Sequence, residues 1–244
     1  MALKEEMEKQ GNWLFRYRSF LPLAVLLIGL IVFVDTNLSK ALLGICTPNF
    51  EFLCLFVSFI GVIIRVYTVG YTPDNTSGRN TLDGQIAETL NTTGIYSLVR
   101  HPLYLGNFFM WLGLAIYTEN FWFIIAFILF YWVYYERIMY AEEQFLERKF
   151  DKIYTDWARK TPAFIPKTTS FKRPNTPFSF KKVLKKEKNG VFAVFLIFSL
   201  FDVIGEQISH HTHFNELFVA GAVITGLSYI VLKVLKSRKN RFFE

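Results

Sequence analysis

Two short stretches carry side chains whose types and spacing suit the handling of a small charged molecule. The first is TGIYSLVRHPLYLGN, from Thr93 to Asn107. Pro102 fits the first turn of a helix, where its missing N–H costs nothing. Arg100 and His101 then stand beside the exposed N–H groups of a helix start, a place that favours a carboxylate or phosphate. Gly106 and Gly113, seven apart on one helix face, permit close approach by another helix or a flat ligand. The second stretch holds Glu142-Glu143, followed by Phe150, Tyr154, Trp157, Arg159 and Lys160. Adjacent glutamates point about 100° apart on a helix, so at most one faces a shared pocket squarely. A carboxylate in that position can hold an ammonium group. Each stretch alone also has a plainer reading: a basic anchor before a membrane span, and a solvated charged face.

The elements that must position these residues follow from composition. The chain has 244 residues, 52% apolar and 18% aromatic, with 27 Phe and only 19% charged residues. Mean hydropathy is positive at +0.28, yet the formal net charge is +7. The apolar residues come in long blocks, so the positive charge lies between them. That arrangement excludes a disordered chain and a disulfide scaffold, and it describes an integral membrane protein with basic segments on one side. Nothing in it resembles a nucleic-acid-binding motif.

Five blocks stand out, at about 20–34, 50–70, 102–135, 191–208 and 214–235. A span needs about 20 residues. The third block is too long for one straight span, and the polar pair Glu119-Asn120 divides it. It reads as a tight hairpin of two short helices, giving an all-α polytopic protein with about six transmembrane helices. Of the 27 Lys and Arg, 14 lie between Glu136 and Gly190 and five more close the C-terminus. The three loops on the other side carry only Lys40. Six spans with both termini cytoplasmic therefore satisfy the positive-inside rule. The acidic start (Glu5, Glu6, Glu8) and the lack of a small-x-small site argue for a retained first span over a cleaved signal. Trp13, Phe15 and Tyr17 read as an interfacial belt before that span.

Four sections are expected: an N-terminal span and loop (1–49), a core (50–166), a basic linker (167–190) lying on anionic inner-leaflet lipids, and a two-helix appendage (191–244). Cys46 and Cys54 read as small apolar residues. Arg65, in the cytoplasmic third of the second span, either snorkels to the headgroups or points inward. Asp202, Glu206 and His210 share one helix face, with His211, His213 and Glu216 nearby. Interhelical hydrogen bonding, or a pocket for a polar headgroup, suits that set better than a metal.

RHPLYLG, a helical hairpin, Glu-Glu, then F-x(3)-Y-x(2)-W and the closing Pro162-Ala163-Phe164-Ile165-Pro166 together resemble the isoprenylcysteine carboxyl methyltransferase family and its relatives, the phospholipid methyltransferases. The resemblance covers about residues 50 to 166. It implies an integral membrane enzyme that uses S-adenosyl-L-methionine, with the cofactor at the cytoplasmic ends of the core helices and a membrane lipid as acceptor. Carried over residue by residue, it implies cofactor contacts at Tyr96, Arg100, His101, Tyr104, Leu105, Gly106, Glu142 and Glu143. It puts catalytic function at Lys160, where the family usually has Arg, with Arg159 beside it. Trp157 replaces the second aromatic of the family's Y-x-x-Y. The polar run Asn75 to Thr81, with Asn91-Thr92-Thr93, resembles the bacterial branch that includes lipid A 1-phosphate O-methyltransferases. The expected acceptor is thus a lipid phosphate or carboxylate in a bacterial inner membrane. Amine N-methylation and isoprenylcysteine-type carboxyl methylation are the alternatives. An NADPH-dependent sterol-type reductase and a non-catalytic scaffold are more distant ones.

Overall fold

A computed structural model describes residues 2–18, 20–43, 50–73, 79–81, 84–209 and 214–241. Seven α-helices make up most of it: α1 (Leu3–Tyr17), α2 (Leu21–Leu43), α3 (Phe50–Tyr71), α4 (Pro102–Tyr117), α5 (Phe121–Ala158), α6 (Phe180–Ile208) and α7 (Glu216–Arg241). A small antiparallel pair, β1 (Arg79–Thr81) and β2 (Gly84–Ile86), lies between α3 and α4, with Arg79 opposite Ile86. Among the described residues, α2, α3, α5, α6 and α7 are long and apolar enough to cross a membrane. α4 is also apolar but has 16 residues, about 24 Å at 1.5 Å per residue, short of the ~30 Å hydrocarbon core.

The expected hairpin is present, but its second arm is not short. The Thr118 cap, Glu119 in the left-handed region (φ 52°) and Asn120 make the turn, and the Asn120 side chain accepts the Phe123 N–H at 3.0 Å. α5 then continues through the charged sequence after Tyr135, for 38 residues in all. Even the part before Asp151, about 45 Å at 1.5 Å per residue, exceeds a bilayer core of ~30 Å, so its charged end projects beyond the apolar layer. At Asp151 (φ 42°, ψ −118°) the helix breaks and changes direction.

α3 and α4 pack backbone to backbone. A Cβ added at Gly113 would lie 2.1 Å from Ser58 Oγ and 2.4 Å from the Cys54 carbonyl oxygen, and one at Gly61 would lie 2.3 Å from the Gly106 carbonyl. Large aromatic side chains then fill the layers around this pair. At the α4–α5 turn end, Phe33, Tyr117, Phe198, Phe201 and Phe218 join α2, α4, α6 and α7. Nearer the opposite end, Phe15, Tyr104, Phe127, Tyr131 and Tyr135 join α1, α4 and α5.

Phe15 is thus a core residue, whereas Trp13 and Tyr17 are exposed. α1 lies along α5, where Gly11 admits the Arg137 carbonyl: a Cβ there would be 2.0 Å from its oxygen. Asp202 accepts the Asn215 backbone N–H at 2.7 Å, and the Asn215 side chain donates to Glu51 at 2.7 Å, so this acid ties helix ends together. His210, His211, His213 and Cys46 lie outside the described residues; Cys54 is buried.

The stretch expected as a linker differs most. Ser179 caps a helix that begins at Phe180 and takes in residues 180–190 of that stretch, and α6 packs on α2 and α3 as well as α7. The reason is Glu187, the one acid in KKVLKKEKNG, which is 4% exposed. Arg65 of α3 forks onto it, Nε to Oε2 at 2.7 Å and Nη2 to Oε1 at 2.9 Å, while Nη1 donates to Asn107 Oδ1 of α4 at 2.6 Å. Arg65 therefore points inward, and one guanidinium joins three helices.

Two expectations follow. Gly113→Val should destabilise the protein by about 1–3 kcal/mol through overpacking, whereas Gly190→Ala, whose Cβ meets nothing nearer than Met110 Cε at 3.4 Å, should be neutral or stabilising; thermal unfolding in detergent distinguishes the signs. Glu187→Ala should cost toward the lower end of about 3–5 kcal/mol because it strands the Arg65 charge. Arg65→Met combined with Glu187→Leu should recover much of that loss in a double-mutant cycle.

Candidate active site

The chain from Gly94 to Pro102, with a 3-10 turn at Ile95–Ser97, is tied to neighbouring backbone by hydrogen bonds. Gly94 (φ 61°) lets it turn, and its N–H donates to the Lys172 carbonyl at 2.9 Å. The Arg100 N–H donates to the Pro162 carbonyl at 2.9 Å and the His101 N–H to Ala163 at 3.1 Å. Lys167 N–H returns to the Leu98 carbonyl at 2.9 Å. The closing Pro162-Ala163-Phe164-Ile165-Pro166 segment therefore accepts the backbone N–H groups of the Arg-His segment.

Arg100 completes the tie with its side chain. Nε and Nη2 fork onto Glu143 at 2.9 and 3.1 Å, and Nη1 donates to the carbonyls of Ala158 and Thr161 at 2.8 and 3.1 Å. His101 Nε2 lies 2.8 Å from Glu143 Oε1. A carboxylate only accepts, so Nε2 carries the hydrogen. Glu143 is thereby fully engaged on both sides.

Glu142 is the other face of the pair. Tyr104 donates its hydroxyl to Glu142 Oε2 at 3.0 Å, and His101 Nδ1 lies 3.7 Å from the same oxygen. Tyr131 donates in turn to the Tyr104 carbonyl at 2.7 Å. The two glutamates thus divide as the helix geometry requires. Glu143 fastens the loop, and Glu142 borders a cavity of about 1070 Å³.

Tyr96, Arg100, His101, Tyr104, Tyr154 and Trp157 also border this cavity. The Trp157 indole N–H donates to the Tyr96 carbonyl at 3.2 Å, fixing one aromatic face beside another. Burial, and then the nearby Glu142 charge, push the Tyr96 phenol above its ordinary pKa, so it stays a neutral donor. The opposite wall is basic, with Arg65 of α3 and Lys182, Lys185 and Lys186 of α6. Beyond it the lining turns apolar through Trp111 and Leu114 of α4 and Val194 and Ile197 of α6.

Of the residues expected at the cofactor, Tyr96, Arg100, His101, Tyr104 and Glu142 meet at this cavity. Leu105 and Gly106 do not border it; Gly106 packs on α3, where a Cβ would lie 2.5 Å from Arg65 Cγ. Arg159 and Lys160 depart furthest from expectation. Both stand on the exposed turn after α5, and Arg159 faces Asp156 at 3.9 Å with its side chain 79% exposed. The chain reverses there so that Pro162 and Ala163 can reach Arg100 and His101, which turns both cations outward. Cavity residues unforeseen from sequence include Arg18, whose guanidinium lies 4.1 Å over the Phe15 ring, and Lys182, Lys185, Lys186 and Glu187, hidden in the supposed linker.

The donor set suits S-adenosyl-L-methionine. Glu142 offers a buried carboxylate to an ammonium, Tyr96, Tyr104 and Trp157 offer flat faces, and the buried Tyr154 hydroxyl has no hydrogen-bond partner among the described residues.

Comparison with known proteins agrees with this geometry. Residues 52–153 match the phospholipid methyltransferase family model. The chain is 36% identical over 95 residues to the nickel-cobalt-cadmium resistance protein NccN of Alcaligenes xylosoxydans xylosoxydans, covering 39% of this chain and 44% of that protein. It is 38% identical over 78 residues to the protein-S-isoprenylcysteine O-methyltransferase of Schizosaccharomyces pombe, covering 32% of this chain and 33% of that enzyme. To the enzyme of the same name in Tribolium castaneum it is 27% identical over 118 residues, 48% of this chain and 42% of that one. The chain therefore spans less than half the length of each of these relatives. No solved structure matches it. The matched residues 52–153, which supply the Arg-His segment and both glutamates, are similar to the phospholipid methyltransferase family model.

Proposed function

We propose that this protein is an integral membrane methyltransferase that moves a methyl group from S-adenosyl-L-methionine to a membrane lipid. The observation that carries the reading is one cavity with two unlike ends. A carboxylate flanked by tyrosines lies at one end, and a basic wall running into an apolar strip lies at the other.

The cofactor supplies an activated methyl on a sulfonium. The residues of the chain have three tasks. Glu142 holds an ammonium, and Tyr104, donating to Glu142, fixes its carboxylate. Tyr96 and Trp157 present flat faces that exclude water. Arg100 and Glu143 hold the whole Arg-His segment against α5, which keeps these groups in register. A phosphate or carboxylate acceptor needs no general base, only cations to orient it. The basic wall therefore favours O-methylation over amine methylation. On the charge distribution of the loops, this end of the molecule and both termini face the cytoplasm, at a bacterial inner membrane.

The family's catalytic position falls at Lys160, with Arg159 adjacent; in this reading both are headgroup-level surface charges. The lipid A 1-phosphate acceptor rested on the run from Asn75 to Thr81, most of which lies outside the described residues. An anionic lipid headgroup is the acceptor class that the cavity favours.

Three outcomes test this. Purified protein should be stabilised thermally by S-adenosylhomocysteine and not by NADPH; the reverse result would point to reductase chemistry. Glu142→Gln should weaken S-adenosylhomocysteine binding roughly tenfold to a hundredfold, the worth of about 1.5–3 kcal/mol for a charged hydrogen bond, with little change in melting. Glu143→Gln should lower the melting temperature as well. With a labelled methyl donor and a bacterial lipid extract, label should enter acidic lipids, with a 14 Da increment by mass spectrometry, and Arg159→Ala/Lys160→Ala should keep the rate within about twofold. Label confined to amine lipids would overturn the anionic acceptor.

A further inference from the structure

α1 lies outside residues 52–153, the stretch that matches the phospholipid methyltransferase model, yet it ends at the cavity. Gly11, Phe15 and Arg18 stand at i, i+4 and i+7, on one face of the helix. Gly11 and Phe15 are buried, and Arg18, the C-cap, borders the cavity. This face is pressed onto α5 beside the glutamate pair: a Cβ at Gly11 would lie 2.8 Å from that of Ala141, the neighbour of Glu142. Glu8 and Arg148 tie the same two helices at 2.7 Å. The packing of α1 on α5 therefore fixes Arg18 relative to Glu142.

Arg18 is held there by a ring and a dipole. Its guanidinium lies 4.1 Å over Phe15, and it makes no ion pair among the described residues. The ring face and the negative end of the α1 dipole both favour a cation, and neither consumes an N–H donor. The Arg18 charge acts on the phenols of Tyr104 and Tyr135, whose rings are 4.9 Å apart, and Tyr104 is the group that donates to Glu142 at 3.0 Å. Arg18 thus belongs to the Glu142 end of the cavity. The other arginines at the cavity are engaged, Arg100 by Glu143 and two carbonyls, Arg65 by Glu187 and Asn107.

An α-amino acid carries its ammonium and its carboxylate on one carbon, so a site for it needs an acid and a base side by side. We infer that Arg18 holds the α-carboxylate of S-adenosyl-L-methionine while Glu142 holds its ammonium, so that the amino-acid end is gripped as a zwitterion between α1 and α5. A guanidinium presents paired N–H donors that match a carboxylate. The inference rests on the methyltransferase reading and adds to it a residue from outside the matched segment. When the acceptor oxygen bonds the methyl carbon, the carbon–sulfur pair returns to sulfur and the amino-acid end is unchanged. S-adenosylhomocysteine therefore probes the same grip.

The full-length protein in phosphatidylcholine nanodiscs is titrated with S-adenosylhomocysteine and with its decarboxylated counterpart, S-adenosyl-3-thiopropylamine, which keeps the ammonium. Wild type should prefer S-adenosylhomocysteine by about tenfold to a hundredfold, the range for a charged hydrogen bond. Arg18→Met keeps an apolar stem on Phe15 and should abolish that preference by weakening S-adenosylhomocysteine alone. Arg18→Lys should retain part of it. Glu142→Gln should weaken both ligands. Arg16→Ala removes an exposed cation of the same helix that does not border the cavity and should weaken neither. Equal weakening of both ligands in Arg18→Met would mean a distorted site and overturn the inference, as would an unchanged preference or none in wild type. Loss of fluorescent phosphatidic acid binding with S-adenosylhomocysteine binding intact would place Arg18 at the acceptor end and also overturn it. Binding of neither nucleoside by wild type would instead defeat the methyltransferase reading, and the inference with it.

Discussion

A guanidinium at the foot of a membrane helix must be surrounded by acceptors, because stranding it costs several kcal/mol. Arg100 meets this demand by reaching four oxygens on elements far apart in sequence: both oxygens of Glu143 and the carbonyls of Ala158 and Thr161. Those contacts decide how α5 continues past the apolar layer and where the chain reverses after it. They also decide which of two adjacent glutamates is used up. With Glu143 committed to Arg100 and His101, Glu142 is left to the cavity. The remaining site geometry depends on that division, since Tyr104, Tyr131 and Tyr96 all arrange themselves around the helix α4 start that Arg100 anchors.

A second guanidinium works the same way on the other wall. Arg65 brings α6 into contact with α3 and α4 through Glu187 and Asn107. The cavity is therefore bounded by two arginine forks, one within the family-matched segment and one reaching outside it. The matched part supplies the aromatic and acidic end. The unmatched part supplies the lysines.

Much of this was legible in the sequence. The apolar blocks, the Glu119-Asn120 turn, the helix start at Pro102 and the Arg-His and Glu-Glu pairs all follow from local rules. Where sequence reading missed, a long-range contact overrode a local signal. The KKVLKKEKNG stretch reads as solvated linker because five lysines dominate it; its single buried acid matters only opposite Arg65, far away in the chain. The charged half of α5 reads as separate from its apolar half because hydropathy changes at Tyr135, while the backbone continues helical to the break at Asp151. Arg159 and Lys160 look aimed at a site because they stand next to its residues in sequence, but the chain reversal that feeds Arg100 turns them outward. The inward role of Phe15 depends on Gly11, whose missing side chain matters only once α1 has met Arg137.

The unequal lengths of the helices bear on how a lipid reaches the cavity. α4 has 16 residues, and its neighbours α3 and α6 have 22 and 29. A bilayer meeting a short apolar helix thins around it, at a modest cost per ångström of mismatch. Under the proposed function, a leaflet thinned beside α4 would bring lipid headgroups closer to the cavity at the Pro102 end. In the proposed reaction a lipid would then need no lifting out of the membrane, because the local bilayer thickness would set the depth of its polar end.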